Sequence, residues 1–151
     1  MDVLHAEQLT RNLMQQHGLL DWSFGFNRRR RSLGLCRYAQ RRIELSLPYV
    51  LRNDEANIRD TILHEIAHAL AGQKAGHGAK WKEICRQIGA LPERCDRSAV
   101  MPRGRWVGRC PCCAQEFSRY RRPLKRANYS CRRCGPDKGA IRFFLDISQA
   151  A

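Results

Sequence analysis

The stretch HEIAHALAGQKAGHGAKW, residues 64–81, places three of the chain's five histidines within fourteen residues and sets a glutamate beside the first. On a helix, a four-residue separation puts His64 and His68 one turn apart on one face, so both imidazoles can reach one ion. Glu65 lies next on the cylinder, where it can address a water beside that ion without ligating it. This is the H-E-x-x-H arrangement, which a random ordering of the chain's own five His and seven Glu produces in roughly 1% of cases. The segment around it is apolar, where polar side chains without partners are costly to bury. The stretch therefore calls for a helix with an ion at its side.

A catalytic zinc takes three protein ligands and keeps a position for water, so a third ligand is required. The metzincin pattern needs a glycine three residues after the second histidine and a histidine three further on. Those positions hold Ala71 and Lys74, which excludes that class. A gluzincin would use a downstream carboxylate, with Glu83 and Glu93 as the candidates. His77 is favoured over both, because it begins the next helix after a loop containing Gly72 and Gly76 that can fold back. Glu83 would then be a surface residue or a partner of a ligand. For stabilising an oxyanion, Tyr38 and Tyr49 are candidate donors, with ordinary core or surface roles as the alternative.

The rest of the first hundred residues reads as a small mixed framework around this motif. Residues 2–17 have apolar positions at helical spacing. Trp22, Phe24 and Phe26 alternate as in a half-buried strand, and the tetrad Arg28–Arg31 suits an exposed turn. Further strands are expected at Leu33–Tyr38 and at Arg42–Leu47, where Ile43, Leu45 and Leu47 face one way and Pro48 ends the run. Asn53 or Asp54 can cap the motif helix, along which Ile58, Ile62, Ile66 and Leu70 recur toward Gly72. Another helix is expected over Ala79–Ile88.

A linker at MPRGRW leads to a different composition and a second constellation, Cys110, Cys113, Cys131 and Cys134. Its spacing, C-x2-C, seventeen residues, C-x2-C, is that of a zinc ribbon. Cys112 is the alternative to Cys113 in the first pair, although Cys113 keeps the two-residue gap. Four thiolates leave no position for water, so this ion is expected to be structural and to stabilise a segment with few aliphatic residues. Phe117, Phe143 and Phe144 would form its small core. Cys36, Cys85 and Cys95 lack ligand spacing and read as small buried residues.

Charge points to a partner. The formal net charge is +14, and only five of the 28 basic residues are lysine. Guanidinium groups bind phosphate through paired hydrogen bonds, so an arginine excess favours a polyanion. Residues 101–151 carry net +9 and residues 1–100 net +5; a zinc ion with four thiolates, about −2 in total, weakens the ribbon's field without reversing it. Arginines alternate with aromatics there, and Arg119, Tyr120, Arg121, Arg122, Arg126 and Tyr129 are candidate nucleic-acid contacts, combining backbone-tracking charge with faces for bases. No apolar run is long enough to span a bilayer, and MDVLHAEQLT lacks the basic start and apolar core of a secretory signal. A reducing compartment is expected, with the cysteines as thiols and ligands rather than disulfides.

HEIAHAL followed by HGAKW after a short glycine-containing loop resembles the SprT-like metalloprotease family of bacterial SprT proteins and eukaryotic Spartan. LGLCRYAQRRIELS is similar to that family's strand pair before the active helix, and a Cys-rich ribbon fits bacterial members. The resemblance runs from about Leu33 to Cys134. It implies an α+β fold: a minimal zincin-like domain over residues 1–100, with an N-terminal helix, a small antiparallel sheet, the H-E-x-x-H helix and a following helix. A basic four-cysteine β zinc ribbon over residues 101–151 would complete it. His64, His68 and His77 would hold a catalytic zinc, Glu65 would be the base, and the four cysteines would hold a structural zinc. The implied activity is a metalloendopeptidase acting on DNA-bound or DNA-crosslinked proteins, with single-stranded or damaged DNA as partner. A monomer is expected in the cytoplasm, associated with the nucleoid, or in the nucleus of a eukaryote. The alternative reading is a non-catalytic nucleic-acid-binding protein with two zinc sites.

Overall fold

In the computed structural model, which describes residues 1–94 and 98–146, Asp2 caps the first helix, α1 (Val3–Gln16), by accepting the His5 N–H. Ala6, Thr10, Leu13 and Met14 of α1 are buried. Strands β1 (Ser23–Asn27), β2 (Gly34–Arg37) and β3 (Arg42–Ser46) follow, then a short helix α2 (Leu47–Val50). Ser46 caps α2 through its hydroxyl, so Pro48 lies in the first turn of a helix and Leu47 leaves the strand. The motif helix is α3 (Glu55–Ala71), capped by Asp54, whose carboxylate accepts the Asn57 N–H at 2.9 Å. A 3-10 turn at Gln73–Ala75 links it to α4 (Ala79–Ile88).

Strand order is β1-β3-β2, and this corrects the expectation of an antiparallel sheet. β2 pairs antiparallel with β3, but β1 runs parallel to β3, from Ser23 opposite Arg42 to Asn27 opposite Ser46. No Asn-Gly or Asp-Gly pair joins β1 to β2, so the chain makes no tight hairpin there. Instead residues 28–33 cross over the end of β3, and the arginine tetrad is part of that crossover. Ser46 anchors the crossing: its hydroxyl donates to the Arg29 carbonyl at 2.5 Å and its N–H to the Leu33 carbonyl at 2.8 Å.

Ile43 and Leu45 of β3 and Ile58, Ile62 and Ile66 of α3 are fully buried and meet Leu13, Tyr49 and Trp81 in one core. Leu70 does not continue this stripe and is 38% exposed. A four-residue step overshoots a full turn by about 40°, so three steps from Ile58 carry Leu70 off the buried face. Leu63 and Ala67 fill the core in its place. On the other face of β3, Glu44 is covered by Arg37, Arg42 and Asn27.

The chain divides into the units Met1–Pro102 and Arg103–Ala151. In the second, β4 (Trp106–Arg109), β5 (Glu116–Arg119) and β8 (Phe143–Leu145) form a sheet of order β5-β4-β8; β6 (Ser130–Cys131), α5 (Gly135–Lys138) and β7 (Gly139–Ala140) complete it. Cys110, Cys131 and Ile141 are its buried centre, with Phe117, Tyr129 and Phe143 packed against them. Phe144 is not core, as expected from sequence, but 62% exposed. Adjacent strand residues point to opposite faces, so Phe143 and Phe144 cannot both turn inward.

Candidate active site

α3 delivers His64 and His68 to one side of a cleft of about 580 Å³, and the link from α3 to α4 brings His77 back to them. Gly72 ends α3 at φ +85°, a conformation that costs side-chain-bearing residues energy, and the chain turns sharply there. The Nε2 atom of His77 lies 3.1 Å from that of His68 and 3.3 Å from that of His64. Four ligands arranged tetrahedrally about 2.0–2.1 Å from a zinc ion stand about 3.3–3.4 Å apart, so the donor set fits zinc in both chemistry and spacing. Glu83 is turned to Arg86 and Gln87 instead, and Glu93 is an exposed residue of the cleft wall. Burial holds the His64 and His68 imidazoles down to about 4, helped by the charges of the neighbouring rings, and lowers His77 as well, helped by Arg94. All three shifts favour the neutral imidazole, the form with a lone pair available to a metal.

Trp81 is the floor beneath the three rings. It is fully buried, its ring centroid is 4.7 Å from those of His64 and His77, and it stacks on His68 at 5.2 Å with 27° between planes. Among the described residues the Nδ1 atom of His68 is buried with no hydrogen-bond partner. A ligating imidazole is usually oriented by such a bond; here packing on Trp81 orients it.

Glu65 is 7% exposed and lines the same cleft. Burial pushes its carboxyl up to about 8, against the lowering effect of the Cys36 backbone N–H, which donates to it. A dication among the rings would favour the charged carboxylate and lower that value again. Strand β2 passes so close that a Cβ on Gly34 would lie 2.7 Å from Glu65 Cγ and 2.8 Å from its Oε1. Gly34 and Cys36 therefore fix where the carboxylate can be, and neither role has a signal in the local sequence. Cys36 is half-buried on the cleft wall rather than in the core, with its thiol pushed up to about 12 by burial and by Glu65. Tyr38 also lines the cleft and bonds to Cys36; its phenol is likewise raised to about 12 by burial. Tyr49 is a core residue whose hydroxyl lies 2.9 Å from Thr61 Oγ1, which leaves Tyr38 as the cleft's tyrosine. Cys85 is buried as expected, and Cys95 lies outside the described residues.

The profile of the SprT-like family matches residues 4–100, the span that contains every residue of this cleft except Met101. The chain belongs to the SprT-like family. It is 31% identical over 121 residues to Protein SprT of Pseudomonas putida (strain W619), covering 72% of this chain and 74% of the relative. Over 94 residues it is 38% identical to Protein SprT of Pseudomonas savastanoi pv. phaseolicola, covering 54% and 57%. As expected from sequence, the SprT-like unit is α+β, with the H-E-x-x-H pair on α3 and a cysteine cluster beyond it.

In this SprT-like chain the thiols of Cys110, Cys113, Cys131 and Cys134 gather within 4.8 Å of one another. Cys113 Sγ is 3.8 Å from Cys131 Sγ, and thiolates about 2.3 Å from a zinc ion stand about 3.8 Å apart. The fit selects Cys113; Cys112 is exposed. Within this hydrogen-bonded cluster, backbone N–H groups of Cys113 and Cys112 lower the Cys110 thiol while bonds to its neighbours raise that of Cys134, so the two titrate together.

The six candidate nucleic-acid residues of the ribbon divide by environment. Tyr129 is half-buried, packs edge-on against Phe143 and accepts the Leu124 N–H at its hydroxyl, so it serves the ribbon's own packing. Arg119 lies over the Tyr129 ring at 4.7 Å and Arg122 over Trp106 at 5.7 Å. Tyr120, Arg121 and Arg126 are exposed.

Proposed function

We propose that this chain is a zinc-dependent endopeptidase acting on proteins bound or crosslinked to DNA, held on the nucleic acid by its basic ribbon. One observation carries the catalytic half: three imidazoles converge at 3.1 and 3.3 Å beside a buried carboxylate in one cleft. Zinc in a three-imidazole site supplies a Lewis acid that acidifies water toward neutral pKa and polarises the scissile carbonyl. Glu65 takes the proton from the attacking water and returns it to the leaving amine. Its hydrogen bond from Cys36 and the close approach of Gly34 fix where the carboxylate can be, which suits a base rather than a further ligand. Tyr38 stands on the cleft wall as the candidate donor to the oxyanion. The arginine excess supports the DNA half of the reading, as do the ribbon's exposed Arg121 and Arg126. The protein would then act where chromosomal DNA is, in the bacterial nucleoid or the eukaryotic nucleus.

The test is metal analysis of wild type and Glu65→Gln with a protease assay of both on a DNA-binding protein, with and without DNA. Two zinc ions in each protein are expected, with turnover about 10²–10⁴-fold lower in the variant. Wild-type cleavage should rise on adding DNA and fall steeply with salt as phosphate contacts are lost. Two zinc ions and no cleavage by wild type would leave a nucleic-acid-binding protein without catalysis.

A further inference from the structure

Arg28–Arg31 sit in the crossover between β1 and β2, and Arg31 lines the cleft that holds Glu65. All four side chains are exposed. Among the described residues none of the four has an ion-pair partner, a condition shared with Arg52, Arg59 and the ribbon's Arg121 and Arg126; what sets the four apart is that they are consecutive. Four successive like charges repel one another, a cost that a polyanion laid against them would offset. The backbone beneath them is already set. Arg29 donates its N–H to Asn27 Oδ1 at 2.9 Å, and Ser46 binds the carbonyls of Arg29 and Leu33 at 2.5 and 2.8 Å. Such a loop loses little backbone freedom when it meets a ligand.

We propose that this crossover is a second nucleic-acid contact, built into the catalytic unit on the lip of its cleft and separate from the ribbon. The chain bends at Arg30 and Arg31, so the four guanidinium groups are offered as a cluster to the phosphates of a strand rather than as a linear ruler. Guanidinium forks match phosphate oxygens in pairs. A lipid surface is a poorer partner, because the flanking residues Asn27 and Ser32 offer no apolar side chain to enter a bilayer. DNA across the lip would present an attached protein to Glu65, so the inference rests on the peptidase reading for its purpose but on DNA binding alone for its test.

The experiment uses the full chain, a fluorescein-labelled single-stranded oligonucleotide and its duplex, and binding measured by anisotropy across a salt series. Replacing all four arginines by serine (R28S/R29S/R30S/R31S) should lower the slope of log K against log salt by about 2–3. Affinity at physiological salt should fall at least tenfold, with zinc content and melting temperature as in wild type. The four-lysine variant, which keeps charge and controls for folding, should recover most of the slope. A serine variant with the wild-type slope would overturn the inference while leaving the peptidase reading intact. Slower cleavage of acidic peptides at an unchanged slope would assign the arginines to protein substrate and also overturn it. A reduced slope in a protein that cleaves nothing would uphold the contact and sink the peptidase reading. Absence of salt-dependent DNA binding in wild type would remove both the contact and the DNA half of the function.

Discussion

Gly34 and Trp81 carry constraints that their residue types alone do not announce. A methyl group on Gly34 would overlap the Glu65 side chain, so Gly34→Ala must move either the carboxylate or β2. Displacement of a catalytic group by a fraction of an ångström to about 1 Å lowers rates severely. We expect kcat to drop about 10–100-fold with KM and zinc content near wild type, and a crystal structure of the variant to show Glu65 displaced. Unchanged kcat would mean that the close approach is incidental. Trp81 bears on the three imidazoles rather than on the carboxylate. Trp81→Ala should destabilise the fold by about 3–5 kcal/mol in chemical denaturation. Trp81→Phe keeps a ring under the imidazoles; if stacking orients His68, zinc affinity measured by competition should weaken in the order wild type, Phe, Ala. Equal affinities in the two variants would leave Trp81 as core alone. His64, Glu65 and His68 were legible because helical spacing is local. Gly34, Cys36 and Trp81 were not, because contact between a strand and a helix far apart in sequence leaves no pattern in either.

At the scale of elements, β3 places an ionisable group where stability responds to pH. Burial alone would raise the Glu44 carboxyl, but hydrogen bonds from Arg37 and Asn27 and the charges of Arg37 and Arg42 outweigh it and hold the group below its ordinary 4.5. A depressed folded-state value means stability that is full above the unfolded pKa and lost as pH falls through the folded one. The stability difference between wild type and Glu44→Gln should thus be constant near neutrality and shrink below pH 4.5. A difference independent of pH down to about 3, by denaturation at each pH, would show that the carboxylate's charge is not what the arginines stabilise. The elements themselves were readable where their determinants are local. The Asp54 cap, the bounds of α4 and the β3 alternation of Ile43 and Leu45 all follow from neighbouring residues. The parallel β1–β3 pairing was not readable, since alternation assigns faces within a strand and is silent on which strand lies beside it. The drift of Leu70 was readable in principle, from the mismatch between a four-residue step and the helical turn.

For the whole molecule, the two units would depend on metal in different ways. The first has a core of large aliphatic and aromatic side chains around its ion site, whereas the buried centre of the second is Cys110, Cys131 and Ile141. With so small a core, this segment is expected to need an ion at its four cysteines to fold. Cys131→Ser should therefore bind one zinc instead of two, lose protection of amides across β4, β5 and β8 in hydrogen exchange, and leave the protection of α1 and α3 near wild type. Loss of protection in α3 as well would show that the units fold as one. The first unit's own site is asymmetric. Two of its candidate ligands ride on a helix with one face buried from Ile58 to Ala71, while the third follows a short link set between Gly72 and Gly76. Departure of the ion would accordingly begin when a single ring swings aside. How long the loaded protein lasts in the presence of a competing chelator is then governed by the opening of that link, so resistance to melting and retention of the ion become separate properties, set by different parts of the chain.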